Sequence, residues 1–327
     1  MHNTFTAESK TVLITGANSF VGQQLCAEMC QQGWHVKAAV RTPCQFPPGI
    51  ELVSVGSIDG ETDWTEALKM VNVVVHLAAR VHVMNDKSVS PLDSFMKINM
   101  TGTEHLAQSS AKNGVRRLVY ISSIKVNGEE TIGEQVFTAD DIPAPTDPYA
   151  ISKYEAEQAL ITISTATGMD VVIIRPPLVY GPGVKANFRT MMQWLVRGIP
   201  LPLGLIHNAR SLVALDNLVD FIITCSKHSA AAGQVFLVSD GDDMSTPVLL
   251  KRLAKSLSVS ARLIPVPVFI LWMAAALIGK KDITQRLCGS LRLDIRKNRD
   301  VLGWSPPYSV DKGLDETAKA FFRMNVQ

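Results

Sequence analysis

Six short apolar runs punctuate the first 175 residues: TVLIT (11–15), HVKAAV (35–40), ELVSV (51–55), NVVVHLA (72–78), RRLVYIS (116–122) and DVVIIR (170–175). Helical stretches lie between several of them, notably from about Val21 to Gln32 and over 93–112 and 148–167. Strands this apolar must be covered on both faces, and alternation with helices is how a parallel sheet achieves it. The first half is therefore expected to be α/β.

After Arg175 the pattern changes. PPLVYGPG is rich in turn residues, and 186–197 has helical character. RSLVAL reads as a strand, DNLVDFIITCS as a helix N-capped by Asp216, and QVFLVS as a strand returning to the main sheet. From Thr246, with Pro247 at the first helical position, the chain is expected to be mainly helical. The sequence contains no internal repeat and no low-complexity segment.

Composition narrows the class. Hydrophobic residues at 46% with 19% charged residues describe a globular chain. A net charge of +2 without a long basic run argues against a nucleic-acid partner. MHNTFTAESKTVLITG carries no apolar stretch before the first strand, so a secretory signal is not expected. The five cysteines are scattered without metal-ligand spacing, which suits buried free thiols in a reducing cytoplasm and no metal site. In PVPVFILWMAAALIG (265–279), the apolar run from Val268 to Gly279 is shorter than the roughly 20 residues of a transmembrane helix. A buried helix is the default reading. Lys280 and Lys281 keep a weak interfacial membrane contact open.

In TVLITGANSFVGQQL, Gly16 and Gly22 lie between a strand and a helix, where Gly16 allows a tight bend and Gly22 close contact. Helix N-terminal amides at such a junction hold a pyrophosphate, although a structural turn also uses two glycines. Ser19 stands where the middle glycine of a G-x-x-G-x-x-G turn falls. The second strand ends in AAVRTP, and an arginine there accommodates a 2′-phosphate where an acid binds the ribose 2′-hydroxyl. Arg41 thus favours NADP(H), with NAD(H) still possible; its plain reading is a solvated arginine.

DPYAISKYEAEQ (147–158) begins a helix, with Asp147 as N-cap and Pro148 at the first helical position. Tyr149 and Lys153, four apart, share a face. A nearby ammonium lowers the phenol's pKa from about 10, making a tuned proton donor or acceptor. The plain alternative is a surface helix with an extended lysine.

TGANSFVG, HLAA (76–79), ISSIKVNG (121–128), YAISK (149–153) and RPPLVYGPG (175–183) occur in one order. Together they resemble the extended short-chain dehydrogenase/reductases, specifically the NAD(P)-dependent epimerase/dehydratase family acting on nucleotide sugars. The resemblance implies a Rossmann-type doubly wound parallel sheet with a smaller, mostly helical C-terminal substrate-binding lobe. The expected division is 1–175 with 209–240 for the NAD(P)-binding lobe and 176–208 with 241–327 for the substrate lobe. Tyr149 would exchange a proton with the sugar oxygen, Lys153 would tune Tyr149 and bind the nicotinamide ribose, and Ser123 would orient the reacting oxygen. Asn99 matches a supporting position, or else satisfies backbone groups. The cofactor would contact Gly16, Ser19, Phe20, Val21, Gly22, Arg41, Ser57, Ile58, Leu77, Ala78, Ala79, Tyr149, Lys153 and Pro176. Lys125, Asn187 and Arg210 would bind the substrate. Relatives often form homodimers through helices near 93–112 and 148–167, and a cytoplasmic location is implied.

Departures from the family pattern narrow the reaction. The 4,6-dehydratases carry an Asp-Glu pair after the catalytic Ser/Thr, and here those positions are Ile124 and Lys125, which cannot move the C5 proton. No cysteine falls where the C3/C5 epimerase-reductases use one. A C4 epimerase with retained NAD and a 4-keto reductase with exchangeable NAD(P)H remain, and Arg41 fits the second. Leu178 and Asn127 stand where many relatives place asparagine and tyrosine, which suggests an altered pocket. ISSIKVNGE, RPPLVYGPGVKANF, RSLVALDNLVDFI and FLVSDGDDMST resemble a bacterial surface-polysaccharide subgroup of UDP-4-keto-6-deoxy-N-acetylglucosamine 4-reductases that form UDP-N-acetylquinovosamine. The rivals are a C4 epimerase of UDP-N-acetylglucosamine or UDP-glucose, a reductase of a sterol-like or flavonoid-like substrate, and a non-catalytic NADP(H) sensor.

Overall fold

Nine strands run through the computed structural model, which describes residues 10–42, 44–81, 90–277 and 281–325. They are β1 (Thr11–Thr15), β2 (His35–Val40), β3 (Ile50–Ser54), β4 (Val73–His76), β5 (Arg117–Ile121), β6 (Asp170–Arg175), β7 (Leu178–Tyr180), β8 (Leu212–Ala214) and β9 (Val235–Leu237). Seven form an all-parallel sheet in the order β3-β2-β1-β4-β5-β6-β9. The expected strands are all present, and QVFLVS does return to the main sheet through β9.

Alternation along the strands sorts side chains into two cores. Val12 and Ile14 of β1 join one apolar cluster, while Leu13 between them joins the cluster on the opposite face. Each such fully buried side chain contributes roughly 1.5–3 kcal/mol relative to exposure. The covering helices include α1 (Phe20–Gln31), α2 (Pro91–Phe95), α3 (Gly102–Lys112), α4 (Pro148–Thr167), α5 (Ala186–Val196) and α6 (Leu215–Lys227). The expected helix over 93–112 is interrupted by a π-helical turn, Met96–Thr101. β1 and β4 are neighbours although β2 and β3 lie on β1's other side, so the strand order reverses there. Ligand crevices in open α/β sheets form at such switch points.

The second lobe is built around a separate apolar core from β7, β8, α5 and the later helices α7 (Thr246–Ser256), α8 (Val268–Leu277), α9 (Lys281–Cys288) and α11 (Val310–Asn325), while α10 (Arg296–Leu302) packs on β9 of the main sheet. The expected lobes interleave at β8, which pairs with β7 rather than with the main sheet. Val213 faces the core shared with β1, whereas Leu212 and Ala214 face the second-lobe core. Leu302 and Trp304, in the range assigned to the substrate lobe, also pack against the main-sheet core.

Two local expectations are corrected. Asp216 is not the N-cap of α6: the helix starts at Leu215, Ala214 holds the cap position, and Asp216 lies in the first turn. Extended Ala214 ends β8 and leads straight into the helix, leaving no cap loop. The apolar segment 265–279 is not a buried helix. Val268 and Leu271 pack on the second-lobe core and Ala275 is buried, but Phe269, Ile270, Trp272, Met273 and Leu277 are exposed. These apolar side chains run all round α8, and the lobe covers only one face. Residues 278–280, including Lys280, lie outside the described residues.

Candidate active site

The turn after β1 is shaped by two glycines and one serine. Gly16 has φ +66°, and a Cβ there would sit 2.8 Å from the Ala78 nitrogen. A Cβ on Gly22 would lie 2.3 Å from the Gly16 oxygen, so α1 can approach this closely only with glycine. Ser19, in the place of the middle glycine, caps the helix: its Oγ accepts from the Gly22 amide at 3.1 Å. First-turn amides of a helix have no partner within it, and Phe20 and Val21 occupy that turn of α1. The cradle fits a dinucleotide pyrophosphate at a helix N-terminus.

Leu77, Ala78 and Ala79 follow β4 and face this turn. Ser57 and Arg41 are exposed just beyond β3 and β2, which pair in parallel as far as Val40 against Ser54. Ile58 is half-buried and Pro176, next to the end of β6, is buried. The expected cofactor residues thus cluster at the carboxyl ends of the strands around the switch point.

Behind this crevice runs a directional hydrogen-bond chain that sequence reasoning missed. Thr103 Oγ1 donates to the Asn99 carbonyl at 2.6 Å, so it must accept from His76 Nε2 at 2.9 Å. His76 Nδ1 is then left to accept from Thr15 Oγ1 at 2.6 Å, and Thr15 accepts from the Ala78 amide at 3.3 Å. Burial, with the Lys153 charge, pushes His76 down to about 3 and keeps its ring neutral. The motif HLAA contained His76, but no spacing marks a histidine as the link between two strands and a helix.

Asn99 sits in the π-helical turn. Its Oδ1 accepts from the Arg80 amide at 2.7 Å, and its Nδ2 donates to the Arg80 carbonyl at 3.0 Å and to Ser152 Oγ at 2.9 Å. It ties the loop after β4 to α4. Of the two readings of Asn99, satisfying backbone groups is what this geometry does.

On α4, the Asp147 carboxylate caps the helix at the Ala150 amide, 2.7 Å away, with Pro148 in the first turn. Tyr149 packs edge-on against Phe95, with the Ser123 hydroxyl beside its phenol. Burial and the Asp147 charge raise Tyr149 to about 12, against the lowering by Ser123. The lowering expected from Lys153 is therefore not what the free protein shows. Lys153 is fully buried, and burial drags its own pKa down to about 7, with Glu157 opposing. Its ammonium donates to the Ile121 carbonyl at 2.7 Å and lies over the Tyr120 ring.

The expected substrate residues are less tightly gathered. Lys125 is paired with Asp147, and Glu129 is 3.7 Å from it, so its charge is already matched within the protein. Ile124 is buried. Asn187 is exposed in the first turn of α5. Arg210 donates to the Gly289 carbonyl at 2.9 Å, and burial, with Arg286 nearby, lowers its pKa. Leu178 is exposed at the start of β7. Asn127 does not line a pocket: it is buried, donating to the Thr138 carbonyl and accepting from Arg175.

Among the described residues no group of histidine, cysteine, aspartate and glutamate could hold a metal ion. Cys26 and Cys225 are buried thiols, while Cys30, Cys44 and Cys288 are half-buried rather than buried as expected.

Residues 12–239 match the NAD dependent epimerase/dehydratase family. A Vibrio cholerae protein described as UDP-glucose 4-epimerase is 46% identical over 97% of both chains. An Escherichia coli O157:H7 protein described as N-acetyl-alpha-D-glucosaminyl-diphospho-ditrans,octacis-undecaprenol 4-epimerase is 26% identical over 95% of both. The solved UDP-glucuronic acid 4-epimerase from Bacillus cereus, in complex with NAD, shares the fold at a TM-score of 0.77 and 19% identity, covering 96% of this chain and 99% of its own.

Proposed function

Because the chain belongs to the NAD dependent epimerase/dehydratase family, we propose that its site reduces the C4 ketone of a UDP-linked 4-keto-6-deoxy-N-acetylhexosamine, with NADPH preferred, in bacterial surface-polysaccharide synthesis. The nicotinamide, when bound, supplies the hydride. The chain's own residues do the rest. Ser123 orients the carbonyl oxygen through its hydroxyl, and Tyr149 delivers the proton to the oxygen that becomes an alkoxide. Lys153, fixed by the Ile121 carbonyl and the Tyr120 ring, would contact the nicotinamide ribose and tune Tyr149 once the site is filled. Arg41 meets a 2′-phosphate, and Asn187 and Arg210 meet the UDP diphosphate, for which a guanidinium's forked donors are suited.

The observation that carries this reading is the place of Arg41, exposed just beyond the end of β2 at the cofactor crevice, where a guanidinium suits the 2′-phosphate of NADPH. Burial and the Asp147 charge push the Tyr149 phenol up in the free protein, which is compatible with a proton donor. Ile124 and Lys125 support the same reading, because neither supplies the carboxylates that a 4,6-dehydration requires.

The second reading is a C4 epimerase of UDP-glucose or UDP-N-acetylglucosamine with retained NAD. The resemblance to the Vibrio cholerae protein favours it. One experiment separates the two. Mixed with UDP-4-keto-6-deoxy-N-acetylglucosamine and NADPH, the protein is expected to oxidise one nicotinamide per reduced sugar. No oxidation, together with cofactor-neutral interconversion of UDP-N-acetylglucosamine and its C4 epimer, overturns the reductase.

A further inference from the structure

We propose that α8 is a docking surface for a lipid bilayer rich in anionic headgroups, laid flat in the membrane interface. The observation is an apolar helix that the described residues cover on one face only. Phe269 is 63% exposed, Met273 58% and Leu277 88%, with Ile270 and Trp272 about two-fifths exposed. Residues 263–279 contain no charged side chain. An apolar surface of this kind on one element marks a contact site rather than ordinary surface.

The patch continues beyond the helix. Leu201 and Gly204 bond the backbone of Arg262 and Ile264, which brings exposed Ile264 and Leu205 to the same stretch of surface. The occupant is not a hydrophobic core to be crossed: the ten residues of α8 span about 15 Å, half a bilayer's hydrocarbon thickness. Among the described residues no helix is long and apolar enough to span. A short apolar helix with an aromatic side chain at its surface suits the headgroup boundary instead.

Charge selects the partner. Residues 245–293 carry eight lysines and arginines against a single acid, Asp282, whereas the rest of the chain holds more acids than bases. Arg262, just before the apolar run, and Arg286, on the helix packed against α8, are exposed. A second copy of this chain would bring the same basic lobe against itself in a two-fold contact, which like charges oppose. Anionic headgroups attract it.

The test is flotation of the full-length protein with vesicles of phosphatidylcholine alone and of phosphatidylcholine with phosphatidylglycerol, at low and high salt. The expected result is recovery with the phosphatidylglycerol vesicles, weakened by salt, and a loss of at least about tenfold in the Phe269→Ser/Trp272→Ser variant. Circular dichroism and NADPH binding of that variant should match the parent, which separates lost docking from lost folding. No recovery with either vesicle, or equal recovery of parent and variant, overturns the proposal. A parent that sediments as a dimer without lipid, and becomes a monomer in the variant, overturns it in favour of a second copy. None of these outcomes depends on which sugar the site reduces.

Discussion

The ammonium nitrogen of Lys153 lies 4.1 Å from the centre of the Tyr120 ring while it donates a 2.7 Å hydrogen bond to the Ile121 carbonyl. Tyr120 and Ile121 are consecutive residues at the end of β5, so one strand end supplies both the π-face and the carbonyl that hold the charge. Tyr120 is itself fully buried and stacks on His76 at 5.7 Å. The position of the lysine is thereby set from below by the sheet rather than by α4 alone.

Replacing the ring face should matter and replacing the hydroxyl should not. Tyr120→Phe is expected to retain turnover, whereas below about pH 7, where Lys153 carries its charge, Tyr120→Leu should lose about 1–2 kcal/mol of cation–π stabilisation, roughly 5- to 30-fold in kcat/KM. Steady-state kinetics of the two variants decide it. Equal activities would remove the ring from the account.

The burial of Lys153 has a pH signature. Its folded-state pKa is lowered from 10.5 to about 7, so between those values the unfolded chain holds a proton that the folded chain does not. Stability should therefore rise with pH across that window, and the penalty is fully present below about pH 7. Lys153→Met removes the penalty. In urea unfolding the variant should exceed the parent at about pH 6 and lose that advantage near pH 10. An advantage independent of pH would contradict the assignment.

Glu157 and Arg175 form a buried pair. Arg175 Nε donates to Oε1 at 3.0 Å and Nη2 to Oε2 at 2.5 Å, while Nη1 donates to Asn127 at 2.9 Å. Glu157→Gln leaves the guanidinium without its counter-charge, and a loss of about 3–5 kcal/mol is expected. A denaturant midpoint within experimental error of the parent would show that the pair is not needed.

Arg41 is the one residue on which the cofactor preference rests. Arg41→Asp should lower kcat/KM with NADPH at least about tenfold and favour NADH, because a carboxylate repels a 2′-phosphate and accepts from a ribose hydroxyl. An unchanged NADPH-to-NADH ratio would place the preference elsewhere.

Much of this was legible in the sequence because strand periodicity and turn chemistry are local. TVLIT and DVVIIR lie where their apolar runs put them, and Asp147 caps α4 as its spacing indicated. Where long-range packing decides, sequence reading went wrong. The composition of 265–279 gives hydrophobicity but not whether another element will be laid over it, and none among the described residues covers most of α8. Asn127 reads as a pocket residue because relatives differ there, yet Arg175, 48 positions on, claims it. His76 carried no signal, since its partners Thr15 and Thr103 come from β1 and α3. The sign of the Tyr149 shift also escaped: four-residue spacing to a lysine says nothing about burial, which dominates both groups.

The measurement that tests the central claim most directly is turnover of Tyr149→Phe with UDP-4-keto-6-deoxy-N-acetylglucosamine and NADPH. The account predicts a fall in kcat of roughly 10²–10⁴-fold with KM little changed, because the proton donor is lost while the ring keeps its packing against Phe95. Full turnover by the variant would contradict the role of Tyr149 as the acid and the reading built on it.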